Sequence, residues 1–243
     1  MEVPFSDITL YTPIPHKNGT KEYIEDTNLQ NFVSDLYVQM MHGYKPPETS
    51  RITIQPAYHN TWSRTWKTGS IVAIAPYYNY DDYATLDRKE KYRYILDVIQ
   101  VATLQLSDEY KWDKGVFDKA YKEIIESNFH FKIPYPAKKS RNKKKVANLS
   151  IEKNETVTYV YANIESNGSN IKIKLFEKAN VWWYDPAYVL ARQSKWFNND
   201  KFGICFRKKE VVIWYSIEEN EVRLFENGNH VKEIDFKKHF LFG

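Results

Sequence analysis

Two Asn-Gly pairs, Asn167-Gly168 and Asn227-Gly228, constrain the fold of this chain more than any other feature. Each stands between two strand-like runs, and both residue types tolerate the positive φ of a tight hairpin turn. The first pair separates Val157 to Ile164 from Ile171 to Phe176, and the second separates Glu221 to Phe225 from Val231 to Phe236. Two antiparallel hairpins are expected. Val211 to Ile217 adds a further strand that turns at Glu218-Glu219-Asn220, and Asp185 followed by Pro186 starts a short helix towards Phe197, with Asp as cap and Pro at the first helical position. The C-terminal part therefore reads as a mostly antiparallel sheet with one short helical insertion.

The N-terminal part has a different period. Leu29, Phe32, Val33, Leu36, Tyr37 and Met40 repeat on one helical face, which predicts a helix from Thr27, as N-cap, to Gly43. A second helix is expected from Asp81 or Asp82 to about Tyr110, with a wide apolar stripe, and a third from Asp113 to Asn128. Between the first and second helices lie two strand-like runs, Arg51 to Tyr58 and Ser70 to Pro76. The expected fold class is α+β: an N-terminal three-helix layer packed on a small sheet over residues 1–136, a basic connecting loop at 137–145, and a β-rich part at 146–243, the whole compatible with one continuous domain.

Composition removes several function classes. Glycine is scarce, 8 of 243 residues, and no spacing of glycines forms a dinucleotide or phosphate loop, so no cofactor is expected. The six histidines are scattered, without a paired spacing that would hold a metal, and a site assembled in space from His59, Asp81 and Asp82 is the one metal arrangement worth testing. The single cysteine, Cys205, lies in an apolar run and reads as a core residue. Glu109-Tyr110-Lys111 has the letters of a metal-nuclease motif but falls at a helix end, where it does not project from a strand. No apolar stretch is long enough for a membrane span and no leader is evident, so the expected location is the cytoplasm and no membrane partner is expected.

Charge is concentrated in one place. Lys138, Lys139, Arg141, Lys143, Lys144 and Lys145 put six cations into eight residues, and no acid occurs between Glu126 and Glu152. The formal charge of the whole chain is only +4, so the body apart from this stretch is close to neutral. Such a run is commonly a solvated connection; it is also a contact for phosphate or for an acidic partner. Aromatics cluster at Tyr58 to Tyr83 and again at Trp182 to Phe197. The second cluster reads as core. In the first, Trp62, Arg64, Trp66, Tyr78 and Tyr80 are the residue types that dominate protein interfaces.

These observations favour a non-enzymatic protein-protein interaction module, for example a bacterial immunity or antitoxin-type protein that neutralises a partner toxin. The alternative is a nucleic-acid-associated protein using Lys138 to Lys145. A third reading is a hydrolase with acids assembled in space around Asp81 and Asp82.

Overall fold

The chain divides between His130 and Phe131 into two units. The computed structural model describes residues 5–11, 18–56, 64–166, 168–182, 185–207 and 210–236. Within them it is α+β, with five helices and three sheets whose strand pairings are mostly antiparallel taken together.

In the first unit the elements run β1 (Asp7–Leu10), α1 (Lys21–Met40), β2 (Arg51–Ile54), β3 (Arg64–Thr68), β4 (Ile71–Ala75), α2 (Tyr80–Thr85), α3 (Arg88–Tyr110) and α4 (Lys114–Glu126). The sheet order is β1-β2-β4-β3, with β1, β2 and β4 parallel and β3 antiparallel to β4. A strand comes first, and helices and strands then follow one another along the chain rather than as an N-terminal run of three helices. Parallel pairing is possible because α1 carries the chain from the end of β1 back to the start of β2. Register lines up Ile8, Ile52 and Val72, and then Leu10, Ile54 and Ile74, in rows on one face, all buried. Burying a side chain of this size contributes roughly 1.5–3 kcal/mol.

Polar atoms fix how the helices meet. The Tyr37 hydroxyl on α1 donates to Gln100 Oε1 on α3 at 2.6 Å, and it lies 3.0 Å from Thr103 Oγ1 and 3.4 Å from the Phe117 carbonyl of α4. Burial raises the pKa of this phenol well above its ordinary value. A neutral hydroxyl with partners on two other helices ties α1, α3 and α4 into one arrangement.

Helix boundaries differ from expectation where capping chemistry outweighs apolar spacing. Thr20, not Thr27, caps α1, accepting from the Tyr23 amide at 3.3 Å; Thr27 is mid-helix and returns its hydroxyl to the Tyr23 carbonyl at 2.7 Å. The single helix expected from Asp81 to Tyr110 is two. The chain leaves α2 at Leu86, and α3 begins behind a capping box in which Asp87 accepts from the Glu90 amide while Glu90 accepts from the Asp87 amide, each at 2.8 Å. Asp113 caps α4 as expected.

The second unit contains β5 (Phe131–Pro134), β6 (Lys138–Lys139), β7 (Lys145–Lys153), β8 (Val157–Ser166), β9 (Ser169–Ala179), α5 (Pro186–Arg192), β10 (Ser194–Trp196), β11 (Lys201–Phe206), β12 (Val211–Ser216), β13 (Glu221–Glu226) and β14 (Asn229–Val231). One sheet has the order β5-β7-β8-β9 with β6 beside β7, and the other runs β10 to β14 in sequence order. Both Asn-Gly hairpins are present, as β8–β9 and β13–β14. Asn227 and Gly228 both have positive φ, 49° and 84°. At the other hairpin Gly168 has φ 78°, and Asn167 lies outside the described residues. Helix α5 packs against β7 and β8 of one sheet and β11 of the other, and its Ala187, Leu190 and Ala191 are buried. Among the described residues, no helix is long and apolar enough to cross a membrane.

Candidate functional site

The basic stretch lies wholly inside the second unit, as a hairpin. Lys138 and Lys139 form β6 and pair with Ala147 and Val146 of β7. Between the strands the turn is closed by its own polar groups. The Ser140 amide donates to the Lys145 carbonyl and the Lys143 amide to the Ser140 carbonyl, both at 2.9 Å. Ser140 Oγ accepts from the Lys145 amide at 3.1 Å, and Asn142 Oδ1 accepts from the Lys144 amide at 3.2 Å. Side contacts then fasten the turn to the second sheet. The Asn142 amide donates to Asn199 Oδ1 at 2.9 Å, the Trp196 indole donates to the Lys138 carbonyl at 2.8 Å, and the Lys138 ammonium donates to the Ser194 carbonyl.

One of the six cations, Lys138, is therefore half-buried and engaged. Lys139, Arg141, Lys143 and Lys144 are exposed and Lys145 half-exposed. Among the described residues, none of these five side chains has an ion-pair partner. Cations elsewhere on the same sheet do have partners. Lys172 reaches Glu152 at 2.8 Å and covers the Tyr161 ring at 4.2 Å; Lys174 reaches Glu177 at 2.6 Å; Lys132 lies 3.9 Å from Glu152. Beside the hairpin a shallow groove of about 280 Å3 is lined by apolar residues, among them Val146, Ile164 and Ile171, by the amides Asn148 and Asn163, and by Glu165 and Lys172. Its mixed lining contrasts with the single-sign hairpin tip.

Of the residues expected to contact a partner, the structure describes the side chains of Arg64, Trp66 and Tyr78. Trp62 lies outside the described residues. Arg64 and Trp66 are on β3, an edge strand, where they pair with Ala75 and Ala73; Arg64 is exposed and Trp66 half-exposed. Tyr78 is a correction: it is 2% exposed, with its ring centroid 5.7 Å from Tyr83 and 5.3 Å from Tyr94, so the core of the first unit takes it rather than a partner. Tyr80 opens α2, and its side chain is outside the described set. Tyr77, part of the same aromatic cluster but not among the residues expected to meet a partner, is 57% exposed two residues after β4.

Asp81 and Asp82 occupy the first turn of α2, as a dipole argument expects, but Asn79 is the cap. Its Oδ1 accepts from the Asp82 amide at 3.4 Å and its Nδ2 donates to the Asp82 carboxylate at 2.5 Å. Among the described residues, no group of three or more His, Cys, Asp and Glu side chains is placed to hold a metal, and His59 lies outside them. Cys205 is half-buried on β11, opposite Val212, rather than fully in the core.

A buried charge cluster in the second unit was missed altogether. Asp185 caps α5 through the Ala187 amide at 2.8 Å and is also reached by Lys153 at 3.0 Å and Lys178 at 3.1 Å. Thr158 Oγ1 adds a bond at 3.3 Å. The Lys153 ammonium lies 4.5 Å from the Tyr188 ring centroid and 5.5 Å from those of Phe131 and Trp182. Burial alone would raise the Asp185 pKa; the two ammonium groups outweigh it and hold the carboxyl below its ordinary value. For Lys178, burial pushes the pKa down more than the attraction of Asp185 lifts it. Only the Asp185-Pro186 pair signalled any of this in sequence, and it signalled the cap alone.

The chain matches no protein-family model, no curated protein and no solved structure, so its functional reading rests on its own residues.

Proposed function

We propose that this chain is a binding protein that docks the acidic surface of a partner protein through the β6–β7 hairpin, as an immunity or antitoxin-type protein would. The observation that carries the reading is the set of five cations on a fixed hairpin with no ion-pair partner among the described residues, in a sheet whose other exposed lysines are paired. Fixed, unneutralised charge of one sign speeds encounter with a surface of the opposite sign and selects against like-charged surfaces.

Protein is favoured over nucleic acid by what adjoins the hairpin. Glu152 and Glu177 on β7 and β9 neutralise Lys172 and Lys174, and Glu165 on β8 is exposed, so the sheet beyond the hairpin offers no row of unpaired cations for a phosphate backbone to follow. Tyr161 and Tyr159 are overlain by Lys172 and Lys174 at 4.2 and 5.9 Å, ammonium groups a stacking base would have to displace from that side of each ring. A charged tip beside a groove that mixes apolar residues, amides and both signs of charge has the make-up of a protein interface.

The test uses the intact chain and a variant with Lys139, Arg141, Lys143 and Lys144 replaced by Ser, positions exposed enough to leave the fold alone. Affinity purification from the native host is expected to recover a stoichiometric acidic protein with the natural sequence. The variant is expected to associate with it roughly 10- to 1,000-fold more slowly at low salt. A complex whose association rate is indifferent to the four substitutions overturns the proposal. So does tighter, charge-dependent binding to duplex DNA or RNA than to any protein.

A further inference from the structure

On the sheet β5-β7-β8-β9, register puts Asn148 of β7 beside Asn163 of β8, and Asn163 beside Lys172 of β9. One step along, Val146 lies beside Glu165 and Glu165 beside Asn170. Side chains two apart on a strand share a face. On β7 the alternate residues Ala147, Leu149 and Ile151 are the buried ones, so this set faces outward. It lines the groove of about 280 Å3 next to the hairpin, together with Ala137, just before β6. Glu165, Asn170 and Lys172 are exposed, and Val146, Asn148 and Asn163 half-exposed, so all are open to a ligand.

The bonds these side chains make leave much of their capacity unused. Asn148 Nδ2 donates to the Tyr135 and Leu149 carbonyls at 3.2 and 3.3 Å, and Asn163 Nδ2 donates to Ser150 Oγ at 3.0 Å, which orients both amides. Among the described residues, no donor reaches Asn148 Oδ1 or Asn163 Oδ1, and neither the Glu165 carboxylate nor the Asn170 amide has a partner. Lys172, bound to both Glu152 oxygens at 2.8 Å, keeps a further N–H.

Two amide oxygens, a complete amide and a carboxylate call for donors, while the remaining N–H groups of Asn163, Asn170 and Lys172 call for acceptors. An apolar ligand would strand all of them away from water. A cation is disfavoured by Lys172 and by Lys139, which pairs with Val146; an anion is disfavoured by Glu165. A peptide takes its main-chain bonds from a sheet's edge, and this is a sheet face, where side chains alone are offered. Hydroxyl groups both donate and accept and carry no charge. Several on one ring can meet amides set about one strand spacing, ~4.8 Å, apart, and the ring's C–H face has Val146 and Ala137 to lie against. At roughly 30 Å3 per water the groove has room for about nine waters, which one sugar ring replaces.

We propose that this groove binds a neutral saccharide, whose hydroxyls donate to Asn148 Oδ1, Asn163 Oδ1 and Glu165 and accept from Asn170 and Lys172. The site shares the sheet face beside the hairpin, but none of these residues is one of the hairpin cations, so its test is separate from that of the docking reading.

Methyl α-glucoside, methyl α-galactoside, methyl α-mannoside and N-acetylglucosamine, titrated in turn into the intact protein and followed by amide NMR shifts, test it. At least one is expected to give saturable shifts confined to residues 146–148, 163–165 and 170–172, with a dissociation constant of about millimolar order, as befits so small a ligand. Affinity is expected to stay within about twofold between ~0.05 and ~0.5 M salt, because no net charge is matched. Glu165→Ala combined with Asn170→Ala, at exposed positions, is expected to weaken it about fivefold or more through lost hydrogen bonds, with the rest of the spectrum unchanged. Replacing Lys139, Arg141, Lys143 and Lys144 by Ser is expected to leave it unaltered. The proposal is overturned if none of these sugars shifts those residues at about 0.2 M, far above that constant, or if glycerol at the same concentration gives the same shifts. It is equally overturned if the Glu165 and Asn170 substitutions leave binding intact, or if glucuronate binds at least about tenfold more tightly than methyl α-glucoside, the mark of a cationic site.

Discussion

Replacing Asp185 by Ala probes the charge cluster of the second unit directly. The natural carboxylate is 1% exposed and is reached by Lys153 at 3.0 Å, Lys178 at 3.1 Å and the Ala187 amide at 2.8 Å. Removing one partner of a buried ion pair while leaving the other inside costs about 3–5 kcal/mol. Loss of an Asp cap costs about 1 kcal/mol more. Together, about 4–6 kcal/mol is a large part of the 5–15 kcal/mol that holds a typical domain together. Urea unfolding followed by tryptophan fluorescence and far-ultraviolet circular dichroism is therefore expected to show loss of the second unit's transition, or its displacement to much lower urea. Lys178→Met is expected to cost far less, because burial already disfavours its charge. Combining it with Asp185→Ala is expected to recover part of the loss. The acid limb carries a matching sign. With its folded pKa below the ordinary value, Asp185 contributes stability that is fully present above about pH 4, the carboxyl's unfolded pKa, and is lost as pH falls through the lower folded value. Lys178 works the other way: its lowered pKa weakens the fold at neutral pH, and that penalty is relieved as pH rises towards the unfolded value near about 10.4. The reasoning is refuted if Asp185→Ala costs less than about 1 kcal/mol, the cost of the cap alone, or if its effect and that of Lys178→Met simply add.

At Gly203 an added Cβ would lie 2.0 Å from the Ile213 carbonyl oxygen and 2.6 Å from Trp214 Cα. Gly203→Ala is expected to lower stability by about 1–3 kcal/mol or more, as overpacking does; an unchanged urea midpoint would contradict the pairing of Gly203 with Trp214. Asp87→Ala removes the capping box of α3 and is expected to cost about 1 kcal/mol in thermal unfolding. Asp82→Ala, one helix earlier, should stay within about 0.5 kcal/mol because Asn79 is the cap there; equal losses would show that the break at Leu86 has been misplaced.

Local chemistry was readable from the sequence and distant pairing was not. Asn227-Gly228, Asp113 and Asp185-Pro186 act on their immediate neighbours, so the turn and the helix starts could be placed from the residues themselves. Strand β3, Arg64-Thr65-Trp66-Lys67-Thr68, has no clean alternation because it is an edge strand with both faces partly exposed. Its Thr65 hydroxyl donates to Glu109 on α3 at 2.6 Å, a partner 44 residues away. The break between α2 and α3 was hidden by an apolar stripe, although Asp87 and Glu90, three apart, are a readable capping box. Within the candidate site, the cations were evident from sequence, but their lack of partners was not. Nor was the burial of Tyr78, which depends on Tyr94 arriving from α3.

The contacts of Trp196 and Asn142 give the β6–β7 hairpin a thermodynamic character. Because the indole holds the Lys138 carbonyl and Asn199 holds the Asn142 amide, the backbone between the cations is already in place before anything binds. In the docking proposed above, only side-chain rotations would remain to be stilled, so the entropy lost per contact would be small. The heat-capacity change on complex formation should then reflect buried surface alone, with no contribution from a folding step. Trp196, joined to that backbone by its own ring nitrogen, doubles as a built-in optical gauge of whether the hairpin stays seated.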